Sequence, residues 1–198
     1  MCSRFCIDQE MWRELKELFG DLDRMFSGWK WNRSGQDIRP TNQSLVITAG
    51  ADNRLAPALQ RWGLPDSYHK TTVINARAET AEERPMFRDG VAARRCVVPA
   101  TGFYEWDADK RRYLFRMPAR TELYMAALYG VFGGEARYCI LTTQANASVA
   151  PVHHRMPLVL RAQEVRPWLE DEQTARRLLH ETPPELERRE TDGQLRLW

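Results

Sequence analysis

The chain has 198 residues, of which 43% are hydrophobic and 28% charged, with a formal net charge of +2 at pH 7. This length predicts a single domain over residues 1–198, and the composition excludes a disordered chain, a collagen-like repeat and a disulfide scaffold. No apolar run approaches the ~18 residues of a membrane helix, so we expect no contact with a membrane. Only four of the 29 basic residues are lysines. Arginine suits phosphate because of its planar fork, although a GC-rich genome is the simpler explanation of this excess.

The first predicted element is a helix from Asp8 to about Phe26. Apolar residues recur along it at steps of three and four, and Asp8 is a suitable N-cap. Glycine and proline then predict a loop over residues 27–42. A short strand is expected at Leu45–Ala49, followed by a helical turn at Ala56–Trp62.

From Thr71 onward, runs of β-branched and aromatic residues lie between turn residues, which is typical of strands. The expected strands are Thr71–Asn75, Arg95–Pro99, Gly102–Trp106, Tyr113–Arg116, Leu123–Phe132, Tyr138–Thr143 and Met156–Arg161. Gly133–Gly134 predicts a hairpin tip. Helices are expected at Ala162–Leu169 and Glu172–His180, and a last strand at Leu195–Leu197. This order predicts an α+β fold with a curved or barrel-like, mostly antiparallel sheet and short flanking helices.

The four cysteines are Cys2, Cys6, Cys96 and Cys139. They form no CxxC pair, and the histidines do not follow zinc-finger spacing, so we expect no metal and no cofactor. No secretory segment precedes the polar run that begins at Asp8, which favours the cytoplasm and free thiols.

Cys2 has a distinctive chemistry if Met1 is removed. Its α-amine and thiol then lie on adjacent carbons, and the amine, with an ordinary pKa of about 7.7–8.0, is partly neutral near pH 7. Such a 1,2-aminothiol condenses with an aldehyde to an imine, and the thiol closes a five-membered thiazolidine ring. A cysteine at position 2 can also be accidental.

Four further residues carry potential chemistry. Strand alternation places Glu105 on the same face as Phe103, which predicts partial desolvation and a raised pKa suited to acid/base work. An exposed glutamate at a strand end is the alternative. His153 lies where a loop meets a strand and has a pKa suited to proton transfer, although a lone loop histidine is more often a surface residue. Asn75 and Thr142 lie at strand ends, where such residues more often serve as turn or capping residues.

Several segments together resemble one family, the SRAP domain ("SOS response-associated peptidase" or abasic-site processing). Matching segments are Met1–Phe5, Ile74–Thr80, Arg94–Trp106, Leu141–Asn146 and His153–Pro157, and Ile38–Asn42 and Trp62–Gly63 also fit. The resemblance extends from residue 2 to about residue 169. There are two departures: Ser3 replaces the usual Gly, and His154 stands where Asp is common.

The resemblance implies a substrate, an abasic site in single-stranded DNA, whose ring-opened sugar is an aldehyde. After removal of Met1, the amine of Cys2 would attack this aldehyde, and the Cys2 thiolate would close a thiazolidine, leaving a DNA–protein crosslink that shields the lesion during the response to DNA damage. Glu105 would act as general acid/base, and His153 would shuttle protons. Asn75 would orient the amine, and Thr142 would line the pocket.

The same resemblance makes three arginines near these residues, Arg4, Arg77 and Arg155, the expected clamps on DNA phosphates. Trp62 and Tyr68 are further candidates for contact with DNA, although core packing is the stronger interpretation for Trp62. We expect a monomer that associates with the nucleoid when it is bound to DNA.

Two other functions compete with crosslinking. The first is a thiol peptidase, acting on peptides or only on its own Met1, with Cys2 as nucleophile. A thiol protease does not need its nucleophile at position 2, which favours the aldehyde chemistry. The second is a plain single-stranded DNA binder without catalysis.

Overall fold

A computed structural model describes residues 2–29, 35–50, 54–66, 68–120 and 122–191. The helices are α1 (Gln9–Phe19), α2 (Leu22–Met25), α3 (Pro85–Ala93), α4 (Ala162–Glu170) and α5 (Glu172–Leu178). The first strands are β1 (Phe5–Ile7), β2 (Gln36–Ile38), β3 (Gln43–Ala49), β4 (Leu55–Trp62), β5 (Leu64–Asp66), β6 (Thr71–Val73) and β7 (Asn75–Arg77). The later strands are β8 (Arg95–Ala100), β9 (Gly102–Trp106), β10 (Arg112–Arg116), β11 (Leu123–Phe132), β12 (Glu135–Gln144), β13 (Arg155–Pro157), β14 (Val159–Leu160) and β15 (Glu187–Thr191).

The larger sheet closes into a five-stranded barrel. Its strands follow the order β12, β4, β3, β8 and β11, and the hairpin pairing of β11 with β12 completes the ring. The barrel strands pair antiparallel except where β12 meets β4. The tip of the closing hairpin is Gly133–Gly134, where both residues have positive φ, as a tight two-residue turn requires. The α+β prediction with a barrel-like, mostly antiparallel sheet is confirmed.

The smaller sheet has the order β15, β10, β9, β1 and β2, and all of its pairings are antiparallel. The amino-terminal strand β1 is therefore an interior strand of the sheet, between β9 and β2. Phe5 pairs with Ile38 on one side and with Phe103 on the other, and all three side chains are fully buried. The start of the chain is thus held between two strands rather than left at an edge.

Several predicted elements differ from the structure. The long first helix breaks at Gly20, whose φ of 80° no helix accommodates, so α1 and α2 are separate. The predicted helical turn at Ala56–Trp62 is strand β4, because it pairs with β3 over seven residues. Strand β2 lies within the predicted loop, and α3 was not predicted. The expected strand at Leu195–Leu197 lies outside the described residues.

Arg95 fixes two helices to the barrel. Its guanidinium donates to the carbonyl oxygens of Val91 and Ala92 at the end of α3, and to those of Trp168 and Leu169 near the end of α4, at 2.5–3.1 Å. These carbonyls have no partner within their own helices, so a buried cation satisfies both helix ends at once. No helix in the described ranges is long and apolar enough to span a membrane.

Gly102 lies where β1 and β9 pair, opposite Cys6. A Cβ atom at this position would lie 2.4 Å from the carbonyl oxygen of Phe115 and 2.9 Å from Cδ1 of Leu114. We therefore expect Gly102→Ala to lower the free energy of unfolding by about 1–3 kcal/mol, measured by urea denaturation. Gly28→Ala is the control, since no described atom lies within 4 Å of its Cβ position. Equal stability of the two variants would contradict this packing.

Candidate functional site

The pairing of β1 with β9 continues toward the amino terminus. The amide of Tyr104 donates at 2.9 Å to the carbonyl oxygen of Arg4, the residue just before the start of β1. Antiparallel pairing then brings the residues before Arg4 alongside those after Tyr104. Cys2 and Glu105 consequently lie in the same buried region, and the charge of Glu105 acts on the Cys2 thiol.

The side chain of Cys2 is completely buried, with an exposed fraction of 0%. Burial raises the pKa of the Cys2 thiol well above its usual range, and the negative charge of Glu105 raises it further. Sγ makes only a weak hydrogen bond, to the carbonyl oxygen of Arg4 at 4.0 Å. The thiol is therefore protonated at neutral pH, unlike the thiolates of cysteine proteases.

Asn75 holds the main chain of Cys2. Its Nδ2 donates to the carbonyl oxygen of Cys2 at 2.8 Å. Asn75 is the first residue of β7, which pairs in parallel with β12 through Ile140. The family resemblance implies that Asn75 orients the amine of Cys2. In the structure, Asn75 instead binds the carbonyl oxygen of Cys2.

Glu105 is a buried carboxyl group, 3% exposed. Phe103, on the same face of β9, stacks on Phe115 in the main core, whereas Tyr104 packs in a small separate cluster on the other face. The predicted alternation along this strand is confirmed. Burial disfavours the charged carboxylate and raises the pKa of Glu105 from 4.5 to about 7, despite the opposing charge of His154.

His153 lies in the loop between β12 and β13. Its Nδ1 is 3.0 Å from both the amide nitrogen and the carbonyl oxygen of Arg155. Burial lowers the pKa of His153, which favours the neutral ring at pH 7. The ring stacks on that of His154 at 4.5 Å between centroids, and His154 is exposed. The charge of His154 lowers the pKa of Glu105, so the His154 ring lies within electrostatic range of this carboxyl group.

The three predicted phosphate clamps differ in their surroundings. Arg155 forms a two-pronged ion pair with Glu79 at 2.6 and 2.9 Å. Arg4 pairs with Asp37 at 2.7 Å. Arg77 is exposed at the end of β7. Of the three, Arg77 presents its charge most openly to solvent.

Three other predicted contacts have contrasting positions. Trp62 is fully buried, donates its indole N–H to the carbonyl oxygen of Ile74 at 2.9 Å and stacks on Tyr138, so it packs in the core and offers no face to DNA. Thr142 is also fully buried, and its hydroxyl lies 3.3 Å from the carbonyl oxygen of Ala76, linking β12 to β7. Tyr68 is 88% exposed beside the β5–β6 hairpin.

Two acidic residues near the site, Asp37 and Glu79, were missed from the sequence. Each neutralises one of the predicted arginines. Glu79 was detectable, because it lies inside the motif Ile74–Thr80. No sequence pattern indicated Asp37, since its strand β2 lies in the segment that was predicted as a loop. Within the part of the chain that the structure describes, no group of three or more His, Cys, Asp or Glu residues is arranged to hold a metal ion.

The buried amino-terminal cysteine with its asparagine, glutamate and histidine can be compared with known proteins. The family described as "SOS response associated peptidase (SRAP)" matches residues 1–192. The chain belongs to this family.

Its SRAP relatives come from bacteria and animals. Abasic site processing protein YoaM of Bacillus subtilis is 31% identical over 191 residues, covering 88% of this chain and 82% of the relative. Abasic site processing protein HMCES of Xenopus tropicalis is 29% identical, covering 80% and 57%. A crystal structure from Bacteroides thetaiotaomicron superposes with a TM-score of 0.79 at 20% identity, covering 97% of this chain and 93% of the other. This structural likeness shows the shared fold.

The raised pKa of Glu105 predicts how the stability of the folded protein depends on pH. Between pH 4.5 and about 7 the folded protein keeps a proton that the unfolded chain has lost, so the free energy of unfolding should fall as the pH rises through this window. The expected loss is roughly 2–3 kcal/mol. Glu105→Gln, which stays neutral, should flatten this part of the profile in urea denaturation across pH 4–8. An unchanged slope in the variant would show that Glu105 titrates normally.

Proposed function

We propose that this protein processes abasic sites in single-stranded DNA by forming a covalent thiazolidine crosslink through Cys2 after removal of Met1. The observation that carries the proposal is the burial of Cys2 beside Glu105, with Asn75 bonded to the Cys2 carbonyl oxygen. Relatives named as abasic site processing proteins support the substrate.

The chemistry requires no oxidant or metal to balance. The neutral amine of Cys2 adds to the aldehyde carbon of the ring-opened sugar, and loss of one water gives the imine. The S–H bond of Cys2 then adds across the C=N bond. Sulfur bonds to the former aldehyde carbon, and the thiol proton goes to nitrogen. Because the thiol starts protonated, it carries its own proton into this second step.

Glu105 is suited to the proton transfers of the first step. With a pKa of about 7 it is present in both forms near neutral pH. The acid form can donate a proton to the sugar oxygen or to the hydroxyl group that departs as water, and the carboxylate can accept one from the attacking amine. His153 acts as the second proton carrier. Its Nδ1 lies against the main chain of Arg155, so transfer to a substrate would pass through Nε2.

The arginines supply the contact with the DNA backbone. Arg77 contacts phosphate directly, whereas the guanidinium of Arg155 is taken up by its ion pair with Glu79, which a phosphate would have to displace. The exposed ring of Tyr68 is available to stack on a base. Single-stranded DNA fits these contacts because an abasic sugar must leave the helical stack to reach a buried cysteine.

The crosslink can be tested with one gel. Protein shown by mass spectrometry to lack Met1 is mixed with a single-stranded oligonucleotide carrying one abasic site and run under denaturing conditions. We expect a heat-stable shifted band that Cys2→Ala abolishes, because alanine keeps the amine but cannot close the ring. Cys6→Ala, the matched control, removes the buried thiol of β1 and should leave the band.

Other outcomes of this experiment would identify other functions. Absence of the band from processed wild-type protein would overturn crosslinking. If the band is absent and the same protein turns over a peptide substrate in a separate assay, the protein is a peptidase. A shift seen only on a native gel, and lost at high salt, would identify a plain DNA binder.

Arg77→Ala tests the backbone contact. Loss of one phosphate contact should weaken binding of single-stranded DNA and reduce the slope of log K against log salt by about 0.7. Fluorescence anisotropy with a tetrahydrofuran abasic analogue measures binding without crosslinking. Arg24→Ala, which removes an exposed arginine from the end of α2, is the control and should keep the wild-type slope. An identical slope for Arg77→Ala would remove Arg77 from the DNA contact.

A further inference from the structure

The proposed catalytic groups lie on elements of two different sheets. Glu105 lies on β9 of the smaller sheet, and the loop with His153 follows β12 of the barrel sheet. We infer that residues 183–191, the strap, hold β9 and the His153 loop in fixed positions relative to each other. Asn146 is the residue through which the strap positions His153. This inference rests on the proposed function only for its catalytic consequence.

One end of the strap is bound by Asn146, which is 8% exposed. Its Nδ2 donates to the carbonyl oxygens of Pro183 and Pro184 at 3.1 and 2.9 Å. Its Oδ1 accepts from the amide and the hydroxyl of Ser148 at 3.1 and 2.6 Å, and that hydroxyl oxygen accepts from the amide of Leu186 at 3.0 Å. All the hydrogen-bonding atoms of the Asn146 amide side chain thus face the strap or the residue that binds it. Two consecutive prolines fix φ in this part of the strap, so it is stiff where it is held.

The same asparagine begins the loop that ends at His153. Its carbonyl oxygen accepts from the amides of Val149 and Ala150 at 3.2 and 2.9 Å. The carbonyl oxygen of Val149 in turn accepts from the amide of His153 at 3.1 Å. A shift of Asn146 is therefore transmitted to His153 through two successive turns of hydrogen-bonded main chain.

The other end of the strap is strand β15. It pairs with β10 over five residues, and β10 pairs with β9, so that Glu190 lies opposite Tyr113 and Tyr113 opposite Glu105. The hydroxyl of Thr191 accepts from Nε of Arg112 at 2.8 Å and closes this pairing. One continuous segment therefore contacts the His153 loop at its start and the sheet of Glu105 at its end.

Asn146→Ala tests the connection. It removes both donors to the strap, so His153 should lose its fixed position. In single-turnover crosslinking with processed full-length protein, we expect the maximal rate to fall about tenfold or more. The DNA concentration at half-maximal rate should stay within about twofold of wild type, because the loss concerns positioning of a proton carrier and not DNA contact.

A second measurement on the same variant does not need DNA. The ring resonances of His153, assigned from the spectrum of His153→Gln, should shift or broaden in Asn146→Ala. Ser148→Ala breaks the same connection through a smaller change, and it decides the question if Asn146→Ala does not fold. Thr48→Val is the control, since it removes one side-chain hydrogen bond, to the carbonyl oxygen of Ala56, within the barrel pair β3–β4.

The outcomes separate the strap from the proposed function. Wild-type protein that forms no crosslink would end the proposed function, and the His153 resonances would still decide for or against the strap. A wild-type rate and unshifted His153 resonances in both strap variants would overturn the inference. Equal effects in Thr48→Val would also overturn it, because they would show a general response to lost stability.

Discussion

The pairing of β1 between β2 and β9 is the constraint on which the site depends. A strand of three residues has little pairing energy of its own, but neighbours on both sides satisfy its main chain and cover Phe5 with core side chains. This placement carries Cys2 into the protein interior and brings it to the carboxyl group of Glu105. The main chain at Cys2 and Arg4 is thus held by hydrogen bonds from Asn75 and Tyr104.

Burial then determines the protonation states. Both Cys2 and Glu105 have a raised pKa, chiefly because burial disfavours the charged form of each group. A neutral thiol and a carboxyl group that gains and loses its proton near pH 7 suit imine chemistry, in which protons must move in both directions. The same environment disfavours a preformed Cys2 thiolate of the kind found in cysteine proteases. The bond from Asn75 to the Cys2 carbonyl oxygen constrains the main chain without supplying a charge.

The sequence predicted the fold class and most strands after residue 94, because alternation and turn residues are local signals. It did not predict strand Leu55–Trp62 correctly, since that segment contains Pro57 and becomes a strand through pairing with β3. The short strand of Asp37 was also missed, because three residues carry no periodicity. The site residues came from motifs, and structure alone revealed the ion-pair partners of the arginines and the network around Asn146. Ion pairs and loop tethers between distant segments leave no periodic trace in a sequence.

The order of pairing along the chain has a consequence for synthesis on the ribosome. Strand β1 cannot pair with β9 until more than 100 residues have been made. Strand β10 cannot pair with β15 until synthesis reaches about residue 190. Contacts between such distant segments form slowly, since long loops must close first. Until about half of the chain has been made, strand β1 therefore has only β2 to pair with, and Cys2 is not yet covered by β9. Removal of Met1, which the proposed function requires, is therefore easiest at this stage, before folding withdraws Cys2 from solvent.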